Sequence, residues 1–446
     1  MSDRVGQDGS GGVYRVKMIG LGTVGAGVAE LLREQAGLYA ERLGKTVELV
    51  GVLVRDKTKA VGKGVVDAGL VTDDVDGFLG IEAEAVIEVA GGVEPVGGYV
   101  ERALRAGCHV VTANKTLLAE RGAALFGLAR EHGVSIAFEA SCGGGIPCVN
   151  ALMNGMTANR IDGLFGILNG TCNFILTQMA EKGQGYDEAL KEAQELGFAE
   201  ADPTADVSGA DAAQKLAVLA SLAFGAHVSV DAVTTEGIDA LDAADLGFAR
   251  ELGYTVKLLA TAERWPGEEW VCLHTRPCFV KADDPLALVG GSFNALSVYG
   301  HAVGHTLYYG RGAGALPTAS AVVADVLGVA SGAVPAAFAG LRLTPDLKGP
   351  AKVLDPDETE SRWYVRLTAV DEPGVVAGVT RALGEKGISL ASLLQHESAE
   401  GEPVPVVVLT HGAALGDVRS ALEEIAGMEA IVAEPVLIRI VDPPEG

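Results

Sequence analysis

The sequence predicts an α/β protein with three parts: a doubly wound parallel sheet, an α+β middle portion and a small βαββαβ module. Three observations carry this prediction. Short apolar runs alternate with helical patterns from Val13 to Glu139, a glycine-rich turn follows the first run, and the order of elements changes twice further along. Strand and helix in alternation is the signature of a parallel sheet.

Val13–Ile19 reads as the first strand, followed by Gly20-Leu21-Gly22-Thr23-Val24-Gly25 and a helix to about Glu34. Val47–Val54 is the second strand and ends at Arg55-Asp56. Ala85–Val89, His109–Thr112 and Ser135–Glu139 are further strands, with helical patterns at Val96–Ala106 and Leu117–His132. From about Ile146 to Tyr309 longer helices are expected, with strands near 161–168 and 270–280. The apolar helix around Thr318–Gly328 is expected to return to the first domain. Residues 341–360 are polar, carry Pro345, Pro350 and Pro356, and read as a linker. Strand, helix, two strands, helix and strand follow between Arg362 and Val441, a ferredoxin-like order. The expected division is therefore a disordered leader over 1–12 and a first domain over 13–145 with a returning segment at about 305–340. A middle domain over 146–304, the linker and a C-terminal module over 361–446 complete it.

The chain has 446 residues, too many for one ordinary core. Its 34 basic and 59 acidic residues give a formal charge of −25, which argues against nucleic acid or an anionic membrane as partner. No apolar run reaches the length of a membrane span, and no signal peptide is visible. Six scattered cysteines without a CxxC pair fit reduced thiols, so a cytoplasmic location is expected.

A lone GxGxxG is weak evidence in a chain with 60 glycines, but this one follows a strand and opens a helix, the context the motif needs. Gly20 permits the tight turn, Gly22 lets a pyrophosphate approach the backbone, and Gly25 allows close helix–strand packing. Thr23 and Val24 then lie at a helix N-terminus, whose free N–H groups and dipole favour phosphate. This is a Rossmann-type arrangement. At the tip of the second strand Arg55 comes before Asp56, and an arginine there suits the 2′-phosphate of NADP, with NAD as the alternative.

Two more strand ends point at the same crevice. Ala90-Gly91-Gly92 would let backbone lie along a nicotinamide ribose, with Gly92 as a contact. Thr112-Ala113-Asn114-Lys115 supplies a hydroxyl, an amide and an ammonium group. Glu139-Ala140-Ser141-Cys142-Gly143-Gly144-Gly145-Ile146-Pro147 has three readings: a plain structural loop, a loop whose carbonyls bind a hard cation, or a cysteine nucleophile. Residues 200–215 contain an acidic loop and then Asp211 and Lys215, four apart on one helix face. They are either an ordinary surface ion pair capped by Ser208 or the parts of a proton-transfer site.

Taken in order, these segments resemble homoserine dehydrogenase over nearly the whole chain. Gly166-Ile167-Leu168-Asn169-Gly170-Thr171-Cys172-Asn173 and Gly312-Ala313-Gly314-Ala315-Leu316-Pro317-Thr318-Ala319 add to the match. The resemblance implies reversible hydride transfer between NAD(P)H and L-aspartate 4-semialdehyde, giving L-homoserine. It implies that Lys215 donates and accepts the proton, with Lys115 as second candidate, and that Glu200 and Asp211 bind substrate. It further implies a sodium site at Glu139 with the carbonyls of Cys142, Gly144 and Ile146, and a later cofactor contact at Gly312. The C-terminal module looks like an ACT domain, with Asp371-Glu372-Pro373-Gly374 in its first strand–helix loop. L-Threonine is the implied effector, and a homodimer or homotetramer is implied. Two competing readings are a phosphorylating semialdehyde dehydrogenase using Cys142 and a non-catalytic amino-acid sensor of the ACT type.

Overall fold

The computed structural model describes residues 12–396, apart from Lys63, Pro266 and Glu268, and residues 403–444. The expected leader falls, but for Gly12, outside the described residues. The chain forms two compact units. One gathers the chain up to Thr157 with Ala217–Ser229 and Gly310–Pro350; the other holds Ala158–Leu216, Val230–Tyr309 and Ala351 onward.

The first unit is built on six strands: β1 (Val13–Ile19), β2 (Thr46–Leu53), β3 (Val71–Thr72), β4 (Ala85–Glu88), β5 (His109–Thr112) and β6 (Ile136–Ala137). They are parallel in the order β3-β2-β1-β4-β5-β6. The order reverses between β1 and β4, and open α/β sheets bind ligands beyond the strand ends at such a point. Val16 and Met18, two apart on one face of β1, share a buried core with Ile87 and Val111. The helix Ala315–Ala330 is part of this core through Val322, Val326 and Val329. It packs closely on the helix Thr23–Glu34: a Cβ on Gly27 would meet Ala315 O and Ala319 Cβ, both at 3.1 Å. The last expected strand is shorter than Ser135–Glu139, since only Ile136–Ala137 pair with β5 and Glu139–Ser141 turn into a 3₁₀ helix.

In the second unit the strands are β7 (Ile161–Ile167), β8 (Thr234–Thr235), β9 (Tyr254–Arg264), β10 (Trp270–Lys281), β11 (Phe293–Gly300) and β12 (Gly304–Arg311). They continue with β13 (Lys352–Val353), β14 (Glu360–Val370), β15 (Leu390–Gln395), β16 (Pro403–Thr410), β17 (Ala413–Ala414) and β18 (Val436–Ile440). The middle portion is thus richer in strand than expected. β9 is buried along most of its length, so no alternation marks it in the sequence.

These strands form one sheet in the order β12-β11-β7-β9-β10-β18-β14-β16-β15. Its last four members have the 4-1-3-2 order of a ferredoxin-like module, whose core holds Trp363, Val365, Val406, Val408, Leu383 and Ile425. The module is not hung on a loose tether. β18 pairs in parallel with β10 (Cys278↔Arg439, Phe279↔Ile440), and β13, within the expected linker, pairs with β10 as well. Arg366 on β14 donates from Nε (2.6 Å) and Nη2 (2.9 Å) to the fully buried carboxylate of Asp245, which also accepts from Tyr364 Oη at 2.8 Å. Among the described residues no single helix is long and apolar enough to cross a membrane.

Candidate active site

The glycine-rich turn has the geometry its spacing predicts. Gly20 has φ of 101°, and a Cβ there would lie 2.8 Å from Ala90 N, so only glycine fits between β1 and the loop after β4. A Cβ on Gly25 would lie 2.4 Å from Gly20 O, which ties helix to turn. Gly22 caps the helix Thr23–Glu34, and nothing lies within 4 Å of where its Cβ would be. Its surface is open to a phosphate, with Thr23 and Val24 as the first helical residues. Arg55 is exposed beyond the end of β2, while Asp56 Oδ1 accepts from Lys59 N at 2.9 Å and caps its own short helix.

A residue that sequence reasoning missed organises the next two strand ends. Glu88, the last residue of β4, is 0% exposed. Its Oε1 accepts from Ala90 N (2.9 Å) and Gly91 N (3.0 Å), and its Oε2 accepts from Thr112 Oγ1 (2.6 Å). The Thr112 oxygen in turn accepts from Asn114 N at 3.0 Å. Asn114 donates from Nδ2 to Gly92 O (2.7 Å) and caps the helix Lys115–Glu131 by accepting from Leu117 N (3.0 Å). Lys115 is therefore the first residue of that helix and half-buried. The Thr112 hydroxyl is buried and engaged with Glu88 and Asn114.

Glu139 is buried in the loop after β6 and caps the turn at Cys148 by accepting from Val149 N (2.9 Å) and Asn150 N (2.7 Å). Its own N–H donates to the buried Asp325 carboxylate at 2.8 Å. Burial pushes the Glu139 carboxyl up to about 7 against the backbone donors that hold it, and burial, followed by the nearby Glu139 charge, pushes Asp325 up to about 8. Gly143 and Gly144 have φ of 75° and 57°, and the chain then doubles back so that Cys148 N donates to Ile146 O at 2.8 Å. A Cβ on Gly144 would lie 2.4 Å from Gly312 O, and Gly145 N donates to Arg311 O at 3.0 Å. The Glu139 loop and Gly312 thus touch through backbone alone.

Among the described residues no group of three His, Cys, Asp or Glu side chains could hold a metal ion. One carboxylate with peptide carbonyls is a different donor set, suited to a hard, weakly charged cation. Two neighbouring buried carboxyls, Glu139 and Asp325, would be relieved by such a cation. Cys142 is 0% exposed and follows a 3₁₀ turn, so its thiol is not presented as a nucleophile.

In the second unit the helix Ala210–Phe224 brings Asp211 and Lys215 together: Lys215 Nζ donates to Asp211 Oδ2 at 2.7 Å and to Leu168 O at 2.8 Å. Both side chains are only 13% exposed, so this is no surface ion pair. Asn169 completes the cluster, donating from Nδ2 to Asp211 Oδ2 (2.9 Å) and to Asp206 Oδ1 (2.7 Å). Its Oδ1 caps the helix Gly170–Lys182 by accepting from Cys172 N at 2.8 Å. Behind this loop the buried Lys257 donates to Val289 O (2.7 Å) and Asn173 Oδ1 (3.2 Å), and burial lowers its pKa to about 8. Glu200 is exposed in the loop before the helix Thr204–Val207, where its carbonyl accepts from Gln194 Nε2 at 3.2 Å. Asn169 and Asp206 had no assigned role in the sequence. An ammonium group among two carboxylates, an amide and a carbonyl can hold and release a proton beside a small polar ligand.

Comparison with known proteins covers all three parts. The family model for homoserine dehydrogenase matches residues 147–327, that for the homoserine dehydrogenase NAD-binding domain matches 20–139, and the ACT domain model matches 363–427. Homoserine dehydrogenase of Pseudomonas aeruginosa is 41% identical over 434 residues, 96% of this chain and 98% of that protein. The Bacillus subtilis protein of that name is 38% identical, covering 94% and 96%. The crystal structure of a homoserine dehydrogenase from Thiobacillus denitrificans superposes with a TM-score of 0.90 at 40% identity, covering 97% of this chain and 99% of that one. A hyperthermophilic archaeal homoserine dehydrogenase in complex with NADPH matches with a TM-score of 0.59 at 25% identity, over 71% of this chain and 97% of that one.

Proposed function

The chain belongs to the homoserine dehydrogenase family, and from that premise we propose that Lys215 moves the proton in its reaction, with NADP as the preferred cofactor. The enzyme is an oxidoreductase interconverting L-homoserine and L-aspartate 4-semialdehyde. The direction in the cell is reduction of the semialdehyde, a step toward threonine, methionine and isoleucine in the cytoplasm.

The observation that carries the assignment is the half-buried Lys215 ammonium group, fixed by Asp211 Oδ2 and Leu168 O. A bound nicotinamide dinucleotide supplies the hydride donor or acceptor. Lys215 gives a proton to the oxygen that gains charge as the aldehyde carbon is reduced, and takes it back in oxidation. Such a general acid contributes about 10²–10⁴-fold. Asp211 and Glu200 bind the amino and hydroxyl end of homoserine, and the Asn169 amide keeps Asp211 and Asp206 turned to one point. Lys115, at a strand end where the nicotinamide ring belongs, is the second candidate for the proton.

Gly20, Gly22, Thr23, Val24 and Gly25 receive the pyrophosphate, Gly92 and Gly312 border the nicotinamide half, and Arg55 pairs with a 2′-phosphate. The exposure of Arg55 and the engagement of Asp56 as a helix cap support NADP over NAD, as does the NADPH complex of the archaeal relative. Glu139 with the carbonyls of Cys142, Gly144 and Ile146 would hold sodium, which would neutralise the buried carboxyls and stiffen the loop against Gly312. The ACT module takes L-threonine near Asp371, and the protein works as a homodimer or homotetramer.

The test is a spectrophotometric assay of the purified chain with L-homoserine and NADP⁺, repeated with NAD⁺. Homoserine-dependent reduction, faster with NADP⁺ at low cofactor, is expected. A higher kcat/KM with NAD⁺ would reverse the cofactor assignment. Loss of homoserine oxidation on thiol alkylation with phosphate-dependent turnover of the semialdehyde would favour Cys142 chemistry.

A further inference from the structure

Glu88 stands apart from every role assigned above. It ends the central strand β4, in register with Ile19 of β1 and Thr112 of β5, at the switch point of the sheet. A carboxylate with no exposed surface is costly unless donors satisfy it, and here three neutral donors do: Ala90 N, Gly91 N and Thr112 Oγ1. Among the described residues its hydrogen-bond partners include no basic side chain, so it does not serve there as half of an ion pair.

Its effect is on two loops. Gly91 and Gly92 follow each other in left-handed conformations, with φ of 75° and 81°, and nothing lies within 4 Å of where their Cβ atoms would be. Such a pair has wide conformational freedom unless something holds it. Glu88 takes the N–H groups of Ala90 and Gly91, and Asn114 Nδ2 holds Gly92 O. Two of the loop's N–H groups and the Gly92 carbonyl are thereby fixed within the protein. Through its other oxygen, Glu88 fixes the Thr112 hydroxyl, which receives Asn114 N. Asn114 is the cap that starts the helix at Lys115.

We propose that Glu88 is a positioning residue for hydride transfer, locking the Ala90–Gly92 loop and the start of the Lys115 helix into one rigid platform under the nicotinamide half of the cofactor. It touches neither substrate nor reacting atoms. The proposal rests on the dehydrogenase reading of the site.

The test compares wild type with Glu88→Gln and Thr112→Val. Glutamine keeps an acceptor for Ala90 N and Gly91 N but turns an N–H₂ toward the Thr112 hydroxyl. Valine removes the relay and leaves the grip on Ala90 and Gly91. Both keep the side chain's size, and a thermal midpoint checks folding. Misplacement of reacting groups by about 1 Å can cost about 10²-fold in rate, so Glu88→Gln is expected to lower kcat by about that factor. NADPH affinity, read by nicotinamide fluorescence, should change less than about threefold, since the phosphate loop is untouched. The primary isotope effect with 4-deuterated NADPH should rise toward its intrinsic value, a readout that general destabilisation would not move. Thr112→Val should fall between the two, and the double variant should lose no more than Glu88→Gln alone. A Glu88→Gln enzyme with wild-type kcat and isotope effect, against an active wild type, overturns the role of Glu88 and leaves the dehydrogenase reading standing. A wild type inert toward homoserine with both cofactors overturns that reading and the proposal with it.

Discussion

Lys215 Nζ and Asn169 Nδ2 share one acceptor, Asp211 Oδ2, at 2.7 and 2.9 Å. The amide then reaches on to Asp206 Oδ1 at 2.7 Å, so a single neutral side chain spaces two carboxylates beside the ammonium group.

That bridge predicts the behaviour of Asn169→Asp. The aspartate still caps the helix Gly170–Lys182 through Oδ1, but sets a third acidic group where the amide donated to two others. Losing a hydrogen bond to a charged partner costs about 1.5–3 kcal/mol, and the new carboxylate repels two others at a buried position, so kcat/KM for homoserine should fall at least about tenfold and the thermal midpoint should fall with it. Steady-state kinetics and a melting curve check both halves.

Arg55 sets the cofactor prediction. Arg55→Ala should raise KM for NADP⁺ by about 10–10²-fold, the loss of one charged hydrogen-bonding group, and leave KM for NAD⁺ within about twofold. Equal effects on both cofactors would remove Arg55 from the 2′-phosphate.

The buried Glu139 and Asp325 carboxyls predict a cation effect on stability. Sodium chloride should raise the thermal midpoint above that in choline chloride of the same concentration, since the bound cation adds about 1.4 kcal/mol of stability when sodium is at ten times its dissociation constant. Glu139→Gln should abolish the difference. The same midpoint in both salts for wild type would contradict the sodium assignment.

L-Threonine is expected to inhibit the intact enzyme. Deleting the ACT module is a poor test, because β18 completes the sheet beside β10 and its removal would bare a central strand. A point change is cleaner. Asp371 Oδ1 accepts from Gln395 Nε2 at 3.1 Å, joining the first strand–helix loop to β15. Asp371→Ala should shift the threonine needed for half-inhibition by about fivefold or more, the scale of ordinary allosteric coupling. Absence of inhibition in the wild type would contradict feedback through this module.

The sequence made legible whatever is local or periodic. Gly20, Gly22 and Gly25 declare themselves by spacing after a strand, Asn114 and Lys115 by following β5, and Asp211 and Lys215 by helical spacing. What it hid depends on distant partners or on burial. Glu88 is one polar residue closing an apolar run, and its function rests on Thr112 in the neighbouring strand. Asp325 meets Glu139 N across 186 positions of sequence. Asn169 looks like a loop residue until the helix carrying Asp211 folds beside it. β9, buried along most of its length, shows neither period clearly.

The most direct measurement of the central claim is the rate of homoserine oxidation by Lys215→Ala at saturating NADP⁺, with NADPH binding followed in parallel by fluorescence. A general acid–base residue predicts a loss of at least about 10²-fold with NADPH affinity unchanged. Turnover by Lys215→Ala at the wild-type rate would contradict the assignment and pass the proton to Lys115.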